Sequence, residues 1–373
     1  MTSGSRSLLT AILLFALLCP AVRADELICI RPGNPPDLGS RLDPGQVLAW
    51  HPQEAEHAIE AWNFHALFDS GHVLFGNLMV TNMGWGDNRN GSGLAICMPD
   101  GTTHHGAGDF PEEHLEASKS RFSIRSKDSH LSGDAQGFRV RASAGDLKAN
   151  LEFKAMVPGF RWGPGVTYFG KKREDFLLLD FAYPCAKVTG TLQVKGQTIP
   201  VSGMGYMEHA VQTLLSNDFS RVWYMARGFG ERYTLVFTGF ESTSDYGNKP
   251  VYVLSVFDGD KPIYRTDRVK IRPKQQKQDA ESGFSPPDVL QVDAHGYGGR
   301  LYGKLVSQRR VDSMSVLSSL SSFLRFVVET FVARPWVYRY VSDMSLTLEL
   351  DDGSEPISIL GPALMMVLYV DEE

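Results

Sequence analysis

The 373-residue sequence is poor in cysteine and contains none of the short motifs that mark the commoner enzyme classes. Cys19, Cys29, Cys97 and Cys185 are widely separated and never in C-x-x-C spacing, which makes a poor zinc or dithiol redox site. There is no G-x-S-x-G elbow, no phosphate-cradling glycine loop and no H-E-x-x-H pair, so serine hydrolase, kinase and zinc-protease chemistries lack their residues. No block of lysine or arginine stands out against a net charge of -6, which excludes the electrostatic footprint of a nucleic-acid binder or of a protein drawn to anionic lipid. Long helical periods are almost missing, and with them the crossovers of a parallel α/β fold. No cofactor is implied by any of this.

What is present is a 43% apolar chain, long enough to fill the cores of one large or two ordinary domains. Its first residues read as an export signal: Arg6, an apolar run from Leu8 to Leu18, then Val22-Arg23-Ala24 as a small-residue cleavage site. The run is shorter than the roughly 20 residues of a membrane span, and Leu18 before Cys19 is too bulky for a lipoprotein box. A product lacking residues 1–24, periplasmic or secreted, is therefore expected. Loss of Cys19 leaves Cys29, Cys97 and Cys185, for which one disulfide and one free thiol is the simplest arithmetic in an oxidising compartment. Burial as small hydrophobes is the alternative for any of them.

Residues 25–55, with Pro32, Pro35, Pro36, Pro44 and Pro52, read as an extended arm. Two aromatic and β-branched runs, 61–68 and 72–81, flank Asp69-Ser70-Gly71 and predict a hairpin. Leu147, Ala149, Leu151, Phe153 and Ala155 alternate with polar residues, the period of a half-buried strand. Similar short runs, separated by turn residues, continue to the C-terminus, interrupted by a polar surface loop at 273–288. One amphipathic helix is predicted near 313–332, with Val316, Leu320, Phe323, Leu324, Val327 and Phe331 on one face. Its two readings are a lid over an apolar cavity and a helix that closes a barrel end. The pattern as a whole predicts an all-β protein of two barrel- or sandwich-like halves, joined near residues 200–220.

The strongest chemical candidate is Gly203-Met204-Gly205-Tyr206-Met207-Glu208-His209, where a carboxylate adjoins an imidazole between glycines that allow close approach or a bulge. If this stretch is extended, Tyr206 and Glu208 face one side and Met207 and His209 the other. A carboxyl in an apolar barrel could serve as a general acid. Equally, Glu208 and His209 could pair with Arg221 or Arg227 and pin two domains together. Trp62, Phe64, Trp85, Phe160, Trp162, Trp223, Tyr224 and Tyr233 could line an apolar pocket or simply be core. His104, His105, Asp109 and His114 carry ligand-type side chains, but their spacing matches no metal motif, and they fall in what reads as a glycine-rich loop.

Residues 201–209 and the following Arg221-Val222-Trp223-Tyr224-Met225-Ala226-Arg227 resemble the glycine-rich acidic-His segment and Trp-rich strand of the lipocalin-like superfamily. That superfamily includes carotenoid 1,2-hydratases (hydroxyneurosporene synthase-like proteins), survival-factor-like proteins and fungal Diels–Alderases. Glu60-Ala61-Trp62-Asn63-Phe64 is similar to its Glu-Trp-Trp-Tyr-Phe opening strand, and Met156-Val157-Pro158-Gly159-Phe160 sits where a strand of its first domain ends. The resemblance implies two calycin-type barrels, over 56–205 and 206–373, with a small apolar ligand, isoprenoid or polyene in the enzymes, at their junction. It carries Glu208 and His209 over as the catalytic pair. Met207, Ala210 and Val211 depart from the hydratase pattern, which usually reads Tyr-His-Asp-His followed by Asn-Trp. In an enzyme of this kind Glu208 would protonate a double bond, His209 would orient it or position water, and Trp223 and Tyr224 would face the positive charge. Tyr206, Trp62, Phe64 and Arg227 complete the expected ligand-binding set. A lipid carrier without chemistry and a pericyclase-like enzyme are the alternatives, with peripheral membrane contact open to each.

Overall fold

The computed structural model describes residues 27–29, 41–83, 86–315 and 335–370. Among them the chain is almost entirely antiparallel β. The first sheet holds β1 (Leu27–Cys29), β2 (Ile59–Phe68), β3 (Val73–Thr81), β4 (Arg89–Cys97), β5 (Thr103–Phe110), β6 (Leu115–Ala117), β7 (Ser123–Ser126), β8 (Ser129–Asp134), β9 (Gly137–Ala144), β10 (Leu147–Ala155), β11 (Phe160–Phe169), β12 (Asp175–Val194) and β13 (Gln197–Gln212). The second holds β14 (Ser220–Phe229), β15 (Tyr233–Ser242), β16 (Pro250–Asp258), β17 (Lys261–Thr266), β18 (Val269–Gln276), β19 (Pro287–Gly296), β20 (Gly299–Ser315), β21 (Trp336–Leu350) and β22 (Ile357–Tyr369). Strand order is β5-β4-β3-β2-β13-β12-β10-β9-β8-β7-β6 in the first, with β1 and β11 attached through β12, and β17-β16-β15-β14-β22-β21-β20-β19-β18 in the second.

Each sheet curls into a lipocalin-like barrel, and side chains rather than a backbone ladder tie its ends together. In the first, Ser126 Oγ donates to Asn90 Oδ1 and Ser92 Oγ to the Ser143 carbonyl (2.8 Å), joining β4 to β7 and β9. In the second, Tyr264 OH donates to the Ala294 carbonyl (2.9 Å) and Thr266 Oγ1 to that of His295 (2.7 Å), joining β17 to β19. Period-2 alternation then yields four apolar clusters among the described residues, the smallest of them Phe169, Leu177, Phe219, Trp223, Phe240 and Val370. One fills the first barrel with Trp62, Phe64, Phe138, Phe153 and Met207, and one fills the second with Tyr224, Phe237, Leu254, Tyr338 and Met365. The third lies between the barrels and draws Phe75, Phe160, Phe181 and Tyr206 from the first and Phe229, Phe257 and Leu364 from the second.

Several expectations change. Strand β13 runs on through Gln212 inside the first sheet, so the sheets exchange between Gln212 and Ser220, after the Glu208-His209 pair rather than before Tyr206. The stretch expected as a glycine-rich loop around His104 and His105 is the edge strand β5. Asp267 and Arg268 separate β17 from β18, and strand structure persists to Gln276, inside the stretch expected as a polar loop from 273. Pro44 begins a single helical turn, Pro44–Val47, capped by Asp43, because proline lacks a donor only where the first turn needs none. Of the predicted helix, residues 313–315 end β20, and 316–334 lie outside the described residues. Cys97 and Cys185 are free thiols buried in the core between the barrels, not a disulfide.

The glycines at 203 and 205 serve close approach and not unusual backbone angles, since neither has positive φ. A Cβ at 203 would lie 2.2 Å from the Leu67 carbonyl oxygen and 2.6 Å from the Phe68 Cα. These are backbone atoms of the paired β2 and cannot swing aside. Gly203→Ala is therefore expected to destabilise the chain by about 1–3 kcal/mol, read as a lowered urea midpoint with unchanged slope.

Candidate functional site

Strand β13 pairs with β2 from Gly203 to Gln212 without a register break, so its side chains alternate strictly between the interior of the first barrel and the space between barrels. The register shifts lie in β12, on either side of Tyr183, where Pro184 cannot donate to a ladder. Met207 and His209 consequently point inward, while Tyr206 and Glu208 point at the second barrel. The predicted catalytic neighbours are on opposite faces of one strand.

Inside the first barrel, His209 is 0% exposed and stacks on Trp62 with centroids 5.3 Å apart. Its Nε2 lies 2.8 Å from Glu60 Oε1. Glu60 also accepts from the His51 backbone N–H (2.9 Å) and lies 3.1 Å from His51 Nδ1. Burial pushes the Glu60 carboxyl up, but the hydrogen bonds from His209 and His51 outweigh it and hold the group below its ordinary range. The three donor-type atoms of His51, Glu60 and His209 fall within 4.8 Å of one another, whereas His105, Asp109 and His114 go to separate partners: Asp312, Arg89 and the edge of Phe110.

Between the barrels lies a cavity of about 430 Å³. Glu208, Asn63 and Asn77 stand directly opposite one another on β13, β2 and β3, and form a polar row along its first-barrel wall. The second-barrel wall carries an apolar row across β14, β22, β21 and β20, in which Trp223 faces Leu368, Leu368 faces Val337, and Val337 faces Met314. Met225, Met366 and Arg339 make the adjacent row. A head of mixed polarity fits one side and hydrocarbon the other.

The seam around this cavity is ionic and aromatic. Arg227, 1% exposed, forms an ion pair with Glu208 across it and donates to the Ala226 and Phe237 carbonyls (2.9 and 2.7 Å). Its guanidinium lies 5.0 Å from the centroids of both Phe181 and Tyr206. Arg339 stands 4.6 Å over Phe75 while paired with Asp312, Nε to Oδ1 2.7 Å, and Asp312 in turn lies 2.8 Å from His105 Nε2. Arg265 lies 4.4 Å over Phe160.

Of the predicted set, the seam brings together Glu208, Arg227, Tyr206 and Trp223. Trp62, Phe64 and Tyr224 belong to barrel interiors and His209 to the Glu60 pair; none of these four lines the cavity. Trp223 and Tyr224 face opposite sides of β14, so they cannot jointly enclose one charge. Sequence reasoning passed over Asn63, His65, Asn77 and Arg339. The signal was there: in 59–68 the aromatics at 62 and 64 mark the inward face, which puts Asn63 and His65 on the other, where His65 is buried and Asn63 half-buried.

Comparison with known proteins bears on the family and the fold. A model of the Svf1 family matches residues 99–365. The ceramide-binding protein svf1 of Emericella nidulans is 21% identical over 327 residues, covering 84% of this chain and 86% of that one. Among solved structures, a Nitrosomonas europaea protein assigned as AttH superposes with a TM-score of 0.63 at 13% identity, over 90% of this chain and 98% of that one. Kievitone hydratase of Nectria haematococca gives a TM-score of 0.56 at 11% identity, over 93% and 98%. At such identities the structural likeness concerns the fold alone.

Two outcomes follow from the paired charges. Glu208→Ala strands the buried Arg227 guanidinium and is expected to cost about 3–5 kcal/mol, whereas Glu208→Leu combined with Arg227→Met should recover most of that loss in chemical denaturation. For Glu60, the folded value lies below the unfolded one of about 4.3, so its stabilisation is complete above the unfolded value and fades as pH falls through the folded one. Urea midpoints taken from about pH 5 down to about pH 3 should drop more steeply for the wild type than for Glu60→Gln.

Proposed function

Because the chain belongs to the Svf1 family within the lipocalin-like superfamily, we propose that it is a non-catalytic lipid-binding protein that holds one amphiphilic lipid between its two barrels. The observation that carries this reading is the two-faced cavity, with its polar row Glu208, Asn63 and Asn77 opposite the apolar row Trp223, Leu368, Val337 and Met314. A lipid head with hydrogen-bonding groups would meet the first row and its hydrocarbon the second, which desolvates both without stranding a polar group. The ceramide-binding relative supports a ceramide-class ligand, a long-chain amide with hydroxyl groups.

The carrier reading is preferred over a hydratase reading because Glu208 is engaged by Arg227, and His209 is on the far side of the strand with Glu60. The acid and imidazole that would have to cooperate do not share a space. We further propose, from the pattern of residues 6–24, that the protein acts after export, where a soluble carrier moves lipid between membranes.

The test is transfer of ceramide between phosphatidylcholine vesicles by the full chain, with native mass spectrometry for bound lipid. Wild type is expected to hold one ceramide and speed its transfer. Leu368→Asp, which places a charge in the apolar row, should weaken binding about tenfold or more while leaving the thermal midpoint within a few degrees. Failure to retain ceramide or any lipid of a broad panel sinks the reading, and a lipid released with the mass of added water would restore the hydratase one.

A further inference from the structure

We propose that His65 is the residue that reads the lipid head, and that the cavity selects an uncharged head carrying both a hydrogen-bond donor and an acceptor, as an N-acylated amino alcohol does. This rests on the lipid-binding reading above and sharpens it. His65 lies two residues along β2 from Asn63 and lines the same wall of the cavity. It is 6% exposed, and neither ring nitrogen meets a hydrogen-bond partner among the described residues. Nδ1 is fully enclosed, which leaves Nε2 as the ring atom at the cavity wall. Buried polar groups are rarely left unpaired, and one that lines a cavity has its partner in whatever fills it.

The surroundings fix how this histidine works. Phe75 and Tyr206 hold the ring from two sides, each with its centroid 4.9 Å away. Burial, then the charges of Arg339 and Arg227, push its proton affinity well below the usual range, so it presents a neutral imidazole whose Nε2 donates or accepts according to its tautomer. Beside it, Asn77 Oδ1 accepts from the Gly93 N–H (2.8 Å), which directs that side chain along the wall; a Cβ at Gly93 would lie 2.7 Å from the same oxygen and displace it. The head therefore meets a mixed set of donors and acceptors on neighbouring strands.

Charge decides against an ionised head. The arginine that lines the cavity, Arg339, is committed to Asp312, and Arg227, behind the wall, is committed to the lining Glu208. A phosphate brought into this space would add charge without an unpaired cation to meet it, and would have to break a buried pair to find one. A hydroxylated amide brings no charge and can satisfy His65, Asn63 and Asn77 together.

The experiment equilibrates the full chain with phosphatidylcholine vesicles containing either ceramide or ceramide 1-phosphate, and measures protein-bound lipid for wild type, His65→Leu and His65→Gln. Wild type should take up ceramide at least tenfold better than its phosphate. His65→Leu should lose about tenfold in ceramide affinity, the scale of one hydrogen bond to the ligand, with no fall in thermal midpoint, because the ring has no protein hydrogen bond to lose. His65→Gln, which keeps a polar edge near Nε2, should retain most of the binding. Uptake of neither lipid by wild type would remove the lipid-binding reading itself. Equal uptake of both overturns the selection of an uncharged head alone. Unchanged ceramide binding in His65→Leu, or loss of binding matched by a loss of thermal stability, overturns the role of His65.

Discussion

Three arginines of the second barrel, each laid over an aromatic face of the first, hold the molecule together where its two halves meet. Arg227 lies over Phe181 and Tyr206, Arg265 over Phe160 and Arg339 over Phe75. A guanidinium is more weakly hydrated than an ammonium and can stack on a ring while its edges donate hydrogen bonds, so it tolerates a dry seam that lysine would not. Glu208 and Asp312 then neutralise Arg227 and Arg339 from opposite sides of the seam, one from the first barrel and one from the second. With the charges cancelled pair by pair, apolar residues can pack around them, and the space left over is a cavity and not a salt-filled cleft. Arg309, donating to the carbonyls of Met98 (3.0 Å) and Gly71 (2.9 Å), fastens the rim of the same seam.

This arrangement explains why the wall residues are paired as they are. In the strands that line the junction, such as β2, β13 and β14, alternate residues go to two destinations, an interior core and the seam, and a shift of one residue would exchange them. Asn63 and Trp62 are neighbours in sequence and serve different compartments, as are Trp223 and Tyr224. The glycines at 203 and 205 keep β13 close against β2 and maintain this register along the row that ends in Glu208.

Much of the architecture was legible in the sequence because period-2 patterning and turn residues are local signals. The hairpin at 69–71, the half-buried strand at 147–155, the two-barrel outline and the Gly203 to His209 seam were all of this kind. So was the rule that Glu208 and His209 face apart, together with the prospect that Arg227 pairs with the acid. What stayed hidden depends on distant parts of the chain. That Glu60 takes His209 is a contact over 149 positions, and that His105 meets Asp312 is one over 207. Aromatic residues drew attention to Trp62, Phe64 and Tyr224 as ligand contacts, although bulk alone cannot separate the lining of a core from the lining of a site. The polar residues on the reverse faces, Asn63, His65 and Asn77, were the more informative ones, because polarity on the second face of a strand whose first face is core has to be explained.

The two thiols in the seam carry a consequence for where such a fold can exist. Cys97 and Cys185 are close-packed in the core between the barrels and remain unlinked, with burial pushing Cys185 up to about 11, far from the reactive thiolate range. Neither residue asks for an oxidant during folding, and neither offers one an easy target afterwards. At these two positions the union of the barrels is indifferent to redox potential, so the same seam can close in an oxidising lumen or in a reducing cytosol.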